Sequence, residues 1–250
     1  MKNLRQNKLD CHALLAMIVL NEFQLLIKNL SMFWLSIIEI ISLAIILLVS
    51  IWMHEYAHAY VSYRLWDPTP KIQWRLTTNP LKHMDPIWFF MIFLIWFGWG
   101  KPVQINPMYY KDPVKWELMV ALAWPATNLV LATLWIILLL VFAKIFGMWI
   151  NDIFLDQYNW FIMFWIKFSI INIILAVFNM IPIPPLDWFR LVKMISYKFA
   201  NFVEKYTLYI SIFFLILILW PARWWVGNFL WTVSNSIFQF IFTIFSNIFY

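Results

Sequence analysis

Three runs of the chain, 33–65, 116–146 and 160–182, are long and apolar enough to cross a bilayer, which takes about 20 predominantly apolar residues. Two weaker candidates follow at 206–220 and 224–250. Backbone polar groups in hydrocarbon must be paired internally, and runs of this length meet that demand as helices. Hydrophobic residues make up 64% of the 250, and charged residues 12%, about half the share of a soluble domain. A soluble enzyme, a disordered tail and a disulfide scaffold are thereby excluded. The composition and the runs together predict an all-α polytopic membrane protein.

Loop charge sets the topology. The run 87–100 is too short for a span and suits a re-entrant segment. With it re-entrant, 64–115 lies on one side and carries seven Lys or Arg, 147–159 carries none, and 188–205 carries Arg190, Lys193, Lys198 and Lys205. Basic loops then alternate with an acidic one, as the positive-inside rule requires. A full crossing at 87–100 would break that alternation. The net charge of +6 is accounted for by topology, so no nucleic-acid partner is expected. Turn signals at Asp67-Pro68-Thr69-Pro70 and Asn79-Pro80 bracket pieces that can form short strands, 71–77 and 103–105, giving a small β-hairpin/re-entrant segment near 66–115. Cys11 is the single cysteine, which leaves no disulfide partner. Residues 1–32 form an N-terminal segment and candidate first membrane helix, without a signal-peptide cleavage site.

Near the end of the first long run stands His54-Glu55-Tyr56-Ala57-His58, the pattern HExxH. Two His at i and i+4 share a helix face, with Cβ atoms about 5–6 Å apart, and can reach one zinc ion. Glu55 is placed to take a proton from water as general base. On a solvated helix such a match is weak, but ionisable groups in an apolar helix are costly and face a cavity or a partner. A zinc hydrolase needs a third ligand and an open fourth position. The best candidate is Asp187, which follows Pro182, Pro184 and Pro185; prolines cannot continue a helix interior. The topology brings Asp187 out on the side of His54 and His58.

These residues resemble the site-2 protease family of intramembrane zinc metalloproteases (peptidase family M50), and within it the compact branch without PDZ or CBS domains. The resemblance covers roughly 33–220. It rests on HEYAHAYVSYRLWDPTP at 54–70, RLTTNPLKHMDP at 75–86, FGWGKPVQINP at 97–107, ALAWPATN at 121–128 and FNMIPIPPLD at 178–187. It implies a three-helix catalytic core plus flanking helices, with a metalloprotease core at 33–205 and C-terminal membrane helices at 206–250. It implies one zinc ion held by His54, His58 and Asp187, with Glu55 as catalytic base. It also implies supporting roles for Asn128 and Asn179. His83 lies in a block of the compact branch and is a further candidate, either for support of the site or as a hydrogen-bonded residue of the hairpin loop. The implied activity is hydrolysis of peptide bonds in membrane-spanning substrates within the lipid bilayer. The implied location is a bacterial cell membrane, with the active site towards the cytoplasmic side. A metal transporter would spread ligands along a pathway, which this sequence does not do.

The departures from that pattern are systematic. The chain has 4 Gly and 18 Trp, whereas Gly is roughly 7% of an average protein. Trp66, Trp74, Trp88, Trp96, Trp124 and Trp188 fall where the family pattern has Gly. Gly permits positive φ and close backbone approach, and Trp permits neither. Two expectations follow. Either UGA codons for glycine stand behind these six tryptophans, or the chain is a catalytically inactive membrane-binding homologue.

Overall fold

A computed structural model describes residues 37–83, 101–148, 160–184, 186–219 and 223–250. Within them the chain forms α1 (Ile37–Arg64), α2 (Thr69–Ile72), α3 (Pro113–Ile145), α4 (Trp160–Asn179), α5 (Phe189–Ile195), α6 (Tyr197–Lys205), α7 (Thr207–Leu219) and α8 (Arg223–Phe249). Two 3₁₀ turns, Pro80–Lys82 and Pro107–Tyr109, lie between α2 and α3. Helices α1, α3, α4 and α8 are long and apolar enough to span a bilayer. The chain is an all-α polytopic membrane protein. Helix α7 has 13 residues, about 20 Å of rise, which falls short of the roughly 30 Å hydrocarbon core. The N-terminal segment 1–32 lies outside the described residues, as do most of the acidic loop 147–159 and both Trp88 and Trp96.

The apolar core is built by α3, α4 and α8. Ala132, Ile136, Leu139, Leu140 and Ala143 recur at helical spacing on α3 and meet Ile162, Ile166, Ile170 and Ile173 of α4. Trp231, Phe238 and Phe242 of α8 close the cluster. Lys144 Nζ donates to the Phe249 carbonyl at 2.7 Å, pairing a cation with the negative end of α8. Helix α1 packs mainly on α3. It is tied to α4 by the ion pair of Glu39 with Lys167, at 3.4 Å.

The C-terminal end of α1 is fastened to the following loops through a buried carboxylate. Asp67 is fully buried. It accepts from Ser62 Oγ at 2.8 Å, Thr69 N at 2.9 Å and Asn106 N at 2.8 Å. Ser62 Oγ spends its proton on Asp67, so the Tyr110 hydroxyl, 2.7 Å away, donates to Ser62. Burial pushes the Tyr110 phenol up to about 12, which keeps that donor protonated.

The expected strands are not formed: among the described residues there is no strand. Residues 71–77 contain the end of α2 and a series of turns, because Pro68 and Pro70 start a helical turn and leave no pairing ladder. Residues 103–105 lie in irregular chain, and the Val103 amide is spent on a side chain, Glu55. The segment 87–100 lies outside the described residues. Its flanks meet, however: Lys101 N–H donates to the His83 carbonyl at 3.0 Å. The two described residues that flank it are therefore adjacent, and the re-entrant expectation itself falls on residues outside the described ones.

Three helices end in the same way. At the end of α3, Met148 N–H donates to the Ala143 carbonyl and Gly147 N–H to that of Lys144, with Gly147 at φ +66°. This is the Schellman motif, whose left-handed residue is usually Gly. At the end of α1, Asp67 N–H donates to Ser62 and Trp66 N–H to Tyr63, with Trp66 at φ +71°. At the end of α2, Arg75 N–H donates to Pro70 and Trp74 N–H to Lys71, with Trp74 at φ +56°. Trp188, by contrast, has φ −65°, which any residue adopts. The left-handed region costs a residue with a Cβ about 1–2 kcal/mol, and both Trp side chains are largely exposed. Trp66→Gly and Trp74→Gly are each expected to raise stability by about 1 kcal/mol, read from the thermal unfolding midpoint in detergent. A lowered midpoint would contradict the strain.

Candidate metal centre

The site is assembled where α1 ends, α3 begins and the chain leaves α4. On α1, His54 and His58 stand one turn apart with ring centroids 4.8 Å from each other. Glu55 lies beside them, its Oε1 3.4 Å from His54 Nε2. Helix α3 sets the tautomer of His58. The Val120 carbonyl lies 2.9 Å from His58 Nδ1, so Nδ1 carries the proton and Nε2 presents its lone pair. This is how outer groups commonly orient a metal-ligating imidazole. His58 Nε2 is buried and makes no hydrogen bond of acceptable geometry, although Asp187 Oδ2 is 3.2 Å away. A buried lone pair left in this state is the mark of a missing electrophile.

Asp187 arrives from the turn after α4. Asn179 ends that helix, and its carbonyl accepts from Trp188 N–H at 3.2 Å, which folds the proline stretch back on itself. Asp187 Oδ2 is 3.7 Å from His54 Nε2. One donor atom from each of His54, His58 and Asp187 lies within 4.8 Å of the other two. Two imidazole nitrogens and one carboxylate oxygen suit zinc among the common divalent ions. Arg190 Nη1 is paired with Glu117 Oε1 of α3 at 3.0 Å, which docks the start of α5 on α3.

The other candidates divide. Asn128 is fully buried on α3, and neither its amide oxygen nor its nitrogen has a hydrogen-bond partner. It follows Val120 and Trp124 at four-residue steps, so it continues the helix face that meets α1. Asn179 donates to the Leu175 carbonyl at 3.2 Å and acts on the turn through its own carbonyl. His83 is fully buried in the loop, with Nε2 3.0 Å from the Thr77 carbonyl. Burial lowers its pKa against the effect of that carbonyl. Its contacts are with the backbone of Thr77 and Lys101. Trp124 is buried edge-on against His54, with ring centroids 4.1 Å apart and its Nε1 unpartnered. Sequence reasoning missed Val120, Val103, Arg75 and Glu117. Two of them act through backbone atoms, which carry no residue signature, and the two charged ones lie in basic or helical stretches that read as topology.

No family model matches the chain, and no solved structure matches it. A search of curated proteins finds one called "Putative zinc metalloprotease YwhC", from Bacillus subtilis (strain 168). It is 36% identical over 208 residues, which cover 83% of this chain and 92% of that protein. Identity of that extent, together with a His/His/Asp group whose geometry suits a metal, places this chain in the same metalloprotease family.

Proposed function

We propose that the protein is a zinc-dependent intramembrane endopeptidase of the site-2 protease type, acting on membrane-spanning substrates. The observation that carries this reading is the convergence of His54, His58 and Asp187, of which His58 is buried and the other two half-buried, from an apolar helix and the turn after another. His54, His58 and Asp187 hold one zinc ion. Bound zinc supplies a Lewis acid that polarises the scissile carbonyl and acidifies water. Glu55 is the base. Its Oε2 is engaged by Val103 N–H at 2.8 Å, so Oε1 is the oxygen that takes the proton from attacking water and passes it to the leaving amine. A substrate helix has its carbonyls occupied and must unwind before attack. Asn128, with both amide atoms unpartnered, is suited to pair with an extended substrate backbone. The basic loops support a site on the cytoplasmic side of a bacterial cell membrane.

The second reading, an inactive membrane-binding homologue, draws on Trp124 against His54. Cleavage of a model transmembrane substrate by purified protein separates the two. Glu55→Gln is expected to bind zinc as wild type does and to lose at least ~100-fold in kcat. Asp187→Ala is expected to lose zinc affinity by more than the ~10–100-fold typical of outer-group changes. Zinc content by elemental analysis, beside the cleavage rate, checks both. A Glu55→Gln protein that cleaves at the wild-type rate would refute the mechanism.

A further inference from the structure

A chain of contacts runs from Arg75 to Glu55. The Arg75 guanidinium donates to the carbonyls of Lys82 and Lys101, which flank the segment 83–100 on either side. Lys101 N–H donates in turn to the His83 carbonyl at 3.0 Å. Two residues on, Val103 N–H donates to Glu55 Oε2 at 2.8 Å. Arg75 is 6% exposed, so the guanidinium is held in a protein environment, where unsatisfied donors are costly. Its planar fork can serve two separate carbonyls at once, which a lysine ammonium on a flexible stem does less well.

We infer that Arg75 is a positioning residue for the base: its fork locks Lys82 and Lys101 together and thereby aims Val103 N–H at Glu55. This rests on the protease reading of the site, in which Oε1 of Glu55 must be the free oxygen. A residue that merely helped the loop to fold would not separate the turnover of bound substrate from its binding.

The test uses the full-length, zinc-loaded protein in detergent, as wild type, Arg75→Ala, Arg75→Lys and Glu55→Gln. Three quantities are read: zinc per chain, deuterium uptake of the peptide containing 101–105, and kcat and KM on a model transmembrane substrate. In Arg75→Ala the zinc content is expected to stay at the wild-type level. Residues 101–105 exchange at least ~10-fold faster, with α3 and α4 unchanged, since a lost clamp opens the segment locally. Turnover falls by about 10–100-fold, the size seen when a group that orients a site residue is lost, with KM within about twofold. Arg75→Lys is expected to behave like Arg75→Ala. Unchanged protection at 101–105, a loss confined to KM, or full recovery by Lys would each overturn the assignment. Wild type that loads zinc and does not cleave would sink the protease reading, while the exchange data still decide the clamp.

A separate observation concerns the tryptophans. Three helix ends share one hydrogen-bond pattern with one left-handed residue each, and these residues are Gly147, Trp66 and Trp74. Both non-glycine residues with positive φ among the described residues are thus Trp, in a chain with 18 Trp and 4 Gly. Trp is bulky and gains nothing in that conformation. We infer that positions 66 and 74 are glycine in the protein as its own cell makes it, through UGA codons read as glycine. Peptide mass spectrometry of protein isolated from that cell is expected to show glycine at both. Tryptophan at 66 and 74, or UGG codons there, would overturn this.

Discussion

The hydrogen bond from His58 Nδ1 to the Val120 carbonyl is the contact on which the rest of the site depends. It joins α1 to α3 and fixes the tautomer of a buried imidazole. It leaves Nε2 facing inward with nothing to satisfy it. An apolar membrane helix tolerates such a group only if something completes it. The proposed zinc would do so, with Asp187 as a further ligand, and the fold around them is arranged to deliver that carboxylate. The proline stretch after α4 breaks the helix, the Asn179 carbonyl holds the break closed, and the Glu117–Arg190 pair docks the following helix.

The loops on the site side are tied down by groups that a soluble protein would leave in water. Asp67 collects three donors from two loops and the end of α1. Arg75 gathers the carbonyls of Lys82 and Lys101, on either flank of the segment 84–100. Each is a buried charge held by hydrogen bonds, which specifies one arrangement because any other leaves the charge unpaired. Helix α1 and the loops packed against its end therefore share a single geometry, with Glu55 at the junction.

Much of this was legible in the sequence. Span position followed from run length. His54 and His58 followed from helical spacing, and Asp187 from the prolines before it. The strands at 71–77 and 103–105 were not legible. Alternation over so few residues cannot tell a strand from a prolyl helical turn or from irregular chain whose amide serves a side chain. Val120 and Val103 were invisible for a simple reason: their contributions are a carbonyl and an amide, which every residue type shares. The expected crowding at six tryptophans resolved unevenly. Trp66 and Trp74 sit at left-handed helix ends, Trp124 is wedged against His54, and Trp188 has an ordinary backbone.

X-ray absorption at the zinc edge tests the proposed centre most directly, on detergent-purified, zinc-loaded protein. Two imidazoles and a carboxylate predict nitrogen and oxygen scatterers at about 2.0–2.2 Å, the multiple-scattering signature of two imidazole rings, and no sulfur near 2.3 Å. His58→Ala should remove one ring from that signature. A first shell without imidazole, or one that His58→Ala leaves unchanged, would contradict the centre and the function built on it.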